Sequence, residues 1–314
     1  MTIDIILATY NGEKYLSEQI NSILEQTYSD FLLYIRDDGS TDKTNEIIKN
    51  FALKDSRVII IKDDIEPNGV GENFKQLLKN CSSNYVLLAD QDDVWYKNKI
   101  EELLNFANIN FNNNVPCIAY SSAIVVDSNL NSLNRVTSQT SKIKTLNDML
   151  LMNGGIQGCA MIINKKLYDI ALSKNFHWYM HDQVLSLYAV SFGMIYFYNK
   201  PLFSYRQHTS NVLGFNHNNI FLRIKKYWGF NKNNYLLSSH SNTLFENFLF
   251  FEMDNLHSHP KLLLKKYIFS RKNKILFLYY IIKNKIKIRN SIYNSIFKLI
   301  LVKNIVEKDI TRRD

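Results

Sequence analysis

The chain has 314 residues, 46% of them hydrophobic and 21% charged, with only 4 Pro and 10 Gly. That content fills a core for one large or two modest domains, and it excludes a disordered or collagen-like chain, a many-stranded sandwich and a long flexible linker. The net charge of +9 is unevenly spread: residues 1–214 carry 19 Lys+Arg and 23 Asp+Glu, net −4, while residues 215–314 carry 19 and 6, net +13. Two parts with different duties are expected, 1–214 and 215–314, the second facing something anionic. The three cysteines, Cys81, Cys117 and Cys159, are odd in number and lack a CxxC pair, which argues against zinc and against a disulfide framework and for a reducing compartment. Ile3 to Ala8 carries Asp4 and has no basic start, so it reads as a strand and not an export signal. The uncharged run Gln183 to Asn199 is interrupted by Ser186, Ser191 and Gly193 and is too short to span a bilayer. A cytoplasmic protein is expected.

In chain order, short β-branched runs alternate with helical periodicity, the pattern of βα units feeding a parallel sheet. Ile3 to Leu7 is the first strand, and Leu16, Ile20, Ile23 and Leu24 form the stripe of a helix. Phe31 to Ile35 is the second strand. Ser40, Thr41 and Asp42 offer N-cap chemistry to a helix carrying Ile47, Ile48 and Phe51. Val58 to Ile61 is the third strand, followed by a helix with Phe74, Leu77, Leu78 and Cys81. Tyr85 to Ala89 is the fourth, and Ile100, Leu103, Leu104 and Ala107 mark the next helix. Beyond Asn110, strands are expected at Cys117 to Ser121, Gly158 to Asn164 and Met194 to Tyr198, partly antiparallel, with a helix from Asp182 to Val190. The region after Asn216 is helical by pattern, with Ile292, Ile296, Leu299 and Ile300 on one face. Lys285 to Arg289 alternates with period two and is ambiguous.

In an open α/β sheet, ligands gather outside the carboxyl ends of the strands. The loops there hold Thr9-Tyr10-Asn11-Gly12-Glu13, Asp37-Asp38-Gly39-Ser40-Thr41-Asp42 and Asp90-Gln91-Asp92-Asp93. Taken singly, each is an ordinary turn or helix cap; together, at one sheet edge, they look like a site. Asp90, Asp92 and Asp93 crowd like charges into one turn, which raises their proton affinity unless a cation offsets them. A hard divalent ion suits such oxygen ligands and is commonly completed by substrate phosphates.

The segments Ala8 to Glu13, Arg36 to Asp42 and Ala89-Asp90-Gln91-Asp92-Asp93-Val94-Trp95 resemble, in order and spacing, family 2 glycosyltransferases of the GT-A fold. The likeness runs on through Gly158-Cys159-Ala160-Met161, Met180-His181-Asp182 and Tyr205 to Asn211, segments similar to bacterial O-antigen and capsule enzymes, rhamnosyltransferases among them, and it covers about residues 1–214. The resemblance implies a Rossmann-like, mostly parallel α/β sheet flanked by helices, with a helical C-terminal extension. It implies a nucleoside diphosphate sugar donor, UDP- or dTDP-linked, and a glycan or lipid-linked acceptor in cell-surface polysaccharide synthesis.

At matching positions it implies roles with physical sense. Tyr10 would lie against the base, and Asp38 would accept the N3 proton of uracil or thymine. Thr9, Asn11, Glu13 and Gln91 would help to hold base or ribose, and Asp90 a ribose hydroxyl or metal-bound water. Asp92 and His208 would hold Mg²⁺ or Mn²⁺, although a lone histidine bonded in a loop is the plain alternative for His208. Asp182 would be the base that takes the acceptor's proton in an inverting displacement; a helix N-cap is its plain alternative, and His181 is a second candidate base.

Tyr267, Phe269, Phe277, Tyr279 and Tyr280 stand beside Lys265, Lys266, Arg271, Lys272 and Lys274, a composition suited to the inner face of an anionic membrane. Nucleic acid is disfavoured for want of any accompanying motif, and a solvated helical subdomain is the bland reading. Competing functions are a haloacid-dehalogenase-like phosphotransferase, a nucleotidyltransferase and an inactive membrane-associated scaffold. The first wants its Asp-x-Asp after the first strand, and the second wants a Gly-rich phosphate loop there; neither pattern is present. Nothing in Asp38, Asp90, Asp92 and Asp182 marks the site as dead.

Overall fold

Strand β1 (Ile3–Thr9) is buried along its whole length, as an Ile/Leu run covered on both faces should be. In the computed structural model, which describes residues 1–138, 143–152, 154–208, 235–288 and 291–307, it lies near the middle of a mixed sheet. The chain divides into two units, residues 1–141 with 156–214, and residues 142–155 with 215–314.

In the first unit, α1 (Leu16–Leu24) follows β1, and β2 (Phe31–Asp37), α2 (Thr44–Lys54), β3 (Val58–Ile60), α3 (Val70–Lys79) and β4 (Tyr85–Ala89) continue the βα rhythm. A two-residue strand β5 (Val94–Trp95) and α4 (Lys99–Asn110) come next, then the long β6 (Cys117–Val126) and β7 (Ser132–Val136). After α5 (Leu146–Met149), which belongs to the second unit, the chain returns through β8 (Met161–Asn164), α6 (Lys165–Leu172), α7 (His181–Phe192) and β9 (Met194–Arg206). The sheet order is β3-β2-β1-β4-β8-β6-β9-β5, with β7 on β6. β1, β2, β3 and β4 are parallel, and β8 runs antiparallel to both β4 and β6. The register pairs Thr9 with Asp37 and Leu7 with Ala89, so three carboxyl ends finish level. Because strand order reverses beside β1, those ends open a crevice at a switch point. The expected helices and the four leading strands are all present.

Three expectations change. Gly158 to Ala160 is a 3-10 turn and not the start of a strand, since the Cys159 carbonyl is taken by the buried Lys99 ammonium at 2.6 Å and withdrawn from the ladder. β9 runs on to Arg206 because β6 pairs with it in parallel almost throughout. Lys285 to Arg289 is neither helix nor strand over its described part: Lys285 has φ 51° and turns the chain so that Ile286 is buried. Arg289 lies outside the described residues, as do Thr209, Ser210, Asn211, Gly214 and the rest of 209–234.

Over its described residues the second unit has four longer helices, α8 (Ser239–Glu252), α9 (Ser258–Ser270), α10 (Lys274–Lys283) and α11 (Ile292–Leu301), with β10 (Tyr235–Leu237) parallel to β11 (Asn304–Val306). Ser238, Asn273 and Ser291 cap α8, α10 and α11 through side-chain oxygens, which satisfies orphan N–H groups at those starts. The face expected on α11 is rotated: Ser295 and Leu299 are buried, whereas Ile300 is exposed. Among the described residues no helix is long and apolar enough to cross a membrane.

Candidate active site

The loops after β1 and β2 are laced together. Asn11, with φ 47°, donates its N–H to Ser40 Oγ at 2.8 Å and accepts from the Thr41 N–H at 2.9 Å. Glu13 accepts from the Lys43 N–H at 2.9 Å and donates its own N–H to Asp42 at 3.0 Å. Thr9 Oγ1 donates to Asp37 at 2.8 Å. The third loop joins them through Gln91, whose amide exchanges two hydrogen bonds of 2.9 Å with the Tyr10 backbone. A side chain at Gly12 would place Cβ 2.4 Å from Gln91 Oε1, so admitting one would push the Gln91 amide away from the Tyr10 backbone. Thr9, Asn11, Glu13 and Gln91 therefore use their polar groups to build the rim of the crevice.

Tyr10 is 57% exposed at that rim, with its ring open to a planar partner. Asp38 is buried. It accepts from the Gly69 N–H at 2.9 Å, from Arg36 at 3.3 Å and from the Asn68 N–H at 3.4 Å, three of the several lone-pair sites a carboxylate offers. Arg36 is held in turn by Asp63 and Asn73, so α3 and the chain before it fix where Asp38 points.

On the acidic turn the four residues diverge. Asp92 Oδ2 lies 2.8 Å from His208 Nε2, both side chains largely buried, and the His208 ring leans on Tyr15 at 4.9 Å. Asp90 turns inward: burial, then the Asp92 charge, push its carboxyl up to about 7, and the Asp182 charge adds to the push. Asp93 is fully buried, accepts from the Arg206 N–H at 3.2 Å, and has no partner for Oδ2; burial raises it far above the carboxylate range. Beside it sits Lys99, fully buried between the Trp95 and Phe203 rings at 3.8 and 4.1 Å. Burial pulls its ammonium down to about 7 against the opposing pull of Asp93 and Asp90.

Two groupings could be considered for a metal. Asp90, Asp93 and Cys159 bring one ligand atom each within 4.8 Å of one another, but one of the three is a soft thiol, and Asp93 and Cys159 are buried beside the Lys99 side chain, which donates to the Cys159 carbonyl. That set does not fit a hard cation. Asp92 with His208 does fit. The Asp92 carboxylate oxygen and the His208 imidazole nitrogen lie 2.8 Å apart, and a hard cation commonly completes such a partial set with water and phosphate oxygens.

Asp182 lies in the first turn of α7, whose N-cap is Met180. It is therefore inside the helix, where a negative charge is favoured by the dipole, and its Oδ1 accepts from the Gln183 N–H at 2.6 Å. The neighbouring His181 is buried with neither ring nitrogen bonded. It packs on Phe74 at 3.7 Å, and burial pulls it down to about 3, which leaves a neutral, weakly basic imidazole. The segment before α7 is clamped by α3: Glu72 accepts from the Trp178 N–H at 2.7 Å and Lys75 donates to the Phe176 carbonyl at 2.7 Å.

Arg206 is a site residue that sequence reasoning passed over. It is 2% exposed. Its Nε donates to the Asp92 carbonyl at 2.8 Å, Nη1 to the Ser128 carbonyl at 2.6 Å, and Nη2 to Glu18, while the guanidinium lies 4.3 Å over the Tyr15 ring. Its sequence signal is its place in the Tyr205 to Asn211 segment, two residues before His208, where the resemblance gives it no role of its own.

A Rossmann-like half-sheet with an Asp-x-Asp turn at the switch point defines a GT-A glycosyltransferase. The chain belongs to glycosyl transferase family 2, whose profile matches residues 4–171. It is 30% identical over 242 residues to the dTDP-rhamnosyl transferase RfbG of Shigella flexneri, covering 67% of this chain and 74% of that one. It is 30% identical over 214 residues to an uncharacterized glycosyltransferase of Rickettsia typhi, covering 67% of this chain and 65% of that one. In fold it is similar to S. aureus TarS 1-349, solved in complex with UDP-GlcNAc, with a TM-score of 0.58 at 16% identity over 90% of this chain and 80% of that one.

Proposed function

We propose that the protein is an inverting glycosyltransferase that moves a sugar, with rhamnose from a dTDP-linked donor as the leading case and UDP-linked donors as the alternative, to a hydroxyl of a glycan or lipid-linked acceptor in cell-surface polysaccharide synthesis. The observation that carries this reading is the acidic turn at the end of β4, where Asp92 meets His208 and the charges of Asp92 and Asp182 act on Asp90. The likeness to RfbG supports the choice of donor.

In this reading Tyr10 stacks on the base and Asp38 accepts the pyrimidine N3 proton with a remaining lone pair. Asp90 meets a ribose hydroxyl or a bound water. Asp92 and His208 hold Mg²⁺ or Mn²⁺, which when bound offsets the charge that grows on the leaving diphosphate. Asp182 takes the proton of the acceptor hydroxyl. That oxygen attacks the anomeric carbon from the far side, and the bond to the diphosphate breaks with its electron pair going to the phosphate oxygen. His181 does not suit the base, since a ring pulled down to about 3 and closed off by Phe74 holds a proton poorly. The phosphotransferase alternative has no footing, because the Asp-x-Asp turn follows β4 and not β1.

For the second unit we infer that its net positive charge draws the enzyme to the inner face of an anionic membrane, where a lipid-linked acceptor would reside. A thermal-shift screen of dTDP-, UDP- and GDP-sugars with Mn²⁺ tests the donor. A ligand at 100 times its dissociation constant stabilises by about 2.7 kcal/mol, so dTDP-rhamnose should shift the transition and GDP-sugars should not. A shift with GDP-sugars alone would overturn the pyrimidine reading.

A further inference from the structure

The second unit leaves two rows of large apolar side chains in solvent. On α10, Ile275, Tyr279 and Ile282 recur at i, i+4 and i+7, and on α11 Tyr293, Phe297 and Ile300 repeat the spacing; all six are between 50% and 80% exposed. The opposite sides of the same helices are the buried ones, with Phe277, Tyr280 and Ile281 on α10 and Ser295 and Leu299 on α11. Rows of this kind are uncommon on a freely soluble surface and mark a place that something apolar covers.

Charge says what that something is. From Asn255 to Val306 there are twelve Lys and Arg and no Asp or Glu, and Lys272, Lys274, Lys283, Lys285 and Lys287 are exposed around the rows. Two of the lysines lie along the exposed aromatics: Lys283 Nζ is 5.5 Å over the Tyr279 ring and bonds its hydroxyl at 3.3 Å, and Lys272 Nζ is 5.8 Å over Phe269. An ammonium head beside a wet phenol, with its stem along apolar surface, is the arrangement of a side chain at an apolar–water boundary. A second copy meeting this face would bring two positive rims together without an acid to pair them. A surface of lipid phosphates would pair every one.

We propose that α10 and α11 form an insertion face for an anionic bilayer, with Ile275, Tyr279, Ile282, Tyr293, Phe297 and Ile300 entering the headgroup–acyl boundary and the lysines holding lipid phosphates. This rests on the membrane placement proposed above and goes further, since there charge alone attracts and here apolar side chains enter. Helices of ten residues lie in the interface and do not cross it.

The test uses the full chain and vesicles of phosphatidylcholine alone or mixed with phosphatidylglycerol. The wild type should co-sediment with the mixed vesicles and keep a part of that binding at 1 M salt, where charge attraction is screened beyond about 3 Å. The variant Ile275→Ser, Tyr279→Ser, Tyr293→Ser, Phe297→Ser should bind at least about tenfold more weakly. An environment-sensitive dye on Tyr293→Cys should shift to the blue on mixed vesicles, and the same dye on Leu53→Cys, exposed on α2, should not. Binding abolished by salt, unchanged in the quadruple variant and silent to the dye would overturn insertion and leave the membrane placement standing. No binding to mixed vesicles would overturn both. A dimer that the quadruple variant splits would assign the face to a second copy and overturn the proposal.

Discussion

Arg206 holds both halves of the acidic turn at once: its side-chain Nε donates to the Asp92 carbonyl at 2.8 Å while its backbone N–H donates to the Asp93 carboxylate at 3.2 Å. The backbone of one candidate metal ligand is thus set by a residue two positions from the other, His208. Arg206→Lys keeps the charge but loses the fork of directed donors. Loss of an outer partner of this sort typically costs about 10- to 100-fold in metal affinity or activity. The expected result is a rightward shift in the Mn²⁺ dependence with a normal circular dichroism spectrum; an unmoved metal titration would reduce Arg206 to a structural tie.

Asp92→Asn should leave the fold intact and remove activity, since a neutral amide is a poorer ligand for a hard cation and offsets none of its charge. Full activity of this variant in EDTA would end the case for a metal at that position.

Asp182→Asn separates binding from chemistry. The nucleotide sugar should bind as before, measured by calorimetry, while transfer falls by about 10² to 10⁴ if proton removal is what is lost. Normal transfer would leave Asp182 as a helix-start charge only.

His181 gives a pH signature of stability. Its folded value of about 3 lies below its ordinary 6.5, so below pH 6.5 the unfolded chain binds a proton that the folded chain refuses. Stability from this group is whole above 6.5 and drains away as pH falls from 6.5 towards 3, at up to about 1.4 kcal/mol per pH unit. His181→Leu should flatten that limb in denaturant titrations at pH 7, 5.5 and 4.5. An unchanged slope would mean that the ring is protonated in the folded state.

At Gly71 two effects oppose each other. Alanine gains at most about 1 kcal/mol over glycine by helix propensity, and less at the second residue of α3, but here its Cβ would lie 2.1 Å from the Trp178 carbonyl oxygen and 2.6 Å from the Tyr179 carbonyl. Backbone cannot give way as a side chain can, and overpacking costs about 1–3 kcal/mol or more. Gly71→Ala should therefore lower the melting temperature, and it should also slow transfer because the displaced segment leads into Asp182. A higher melting temperature would show that the segment has room to move.

Much of the sheet was legible because β1, β2 and β4 are short apolar runs that stop at polar loops, and a buried parallel strand has few other ways to be written. The acidic turn was legible as a candidate because it ends such a run, at the sheet edge where ligands gather. Arg206 was not, because what it touches depends on β9 keeping register with β6 and β5 over its full length, and no local spacing encodes that. The aromatic residues of the last third divide in a way periodicity does not reveal. Tyr267, Phe277 and Tyr280 are buried, while Phe269 and Tyr279 are exposed, since helices apolar on most sides leave packing to choose the inward face.

The chain leaves its first unit after residue 141, contributes 142–155 to the second, and returns. Met149 and Leu150 are buried in that second unit, the Leu150 carbonyl accepts from the Tyr267 hydroxyl at 2.6 Å, and Asn147 donates to the Asn284 carbonyl at 3.0 Å. A stop codon placed after the donor-binding half would leave this excursion without its partners, its leucines bared to solvent. The basic helices are consequently not a tail that recombination can add to or strip from a transferase in one cut: any gene exchange that moves them has to carry the distant insertion along, and the two segments should travel together as one heritable unit.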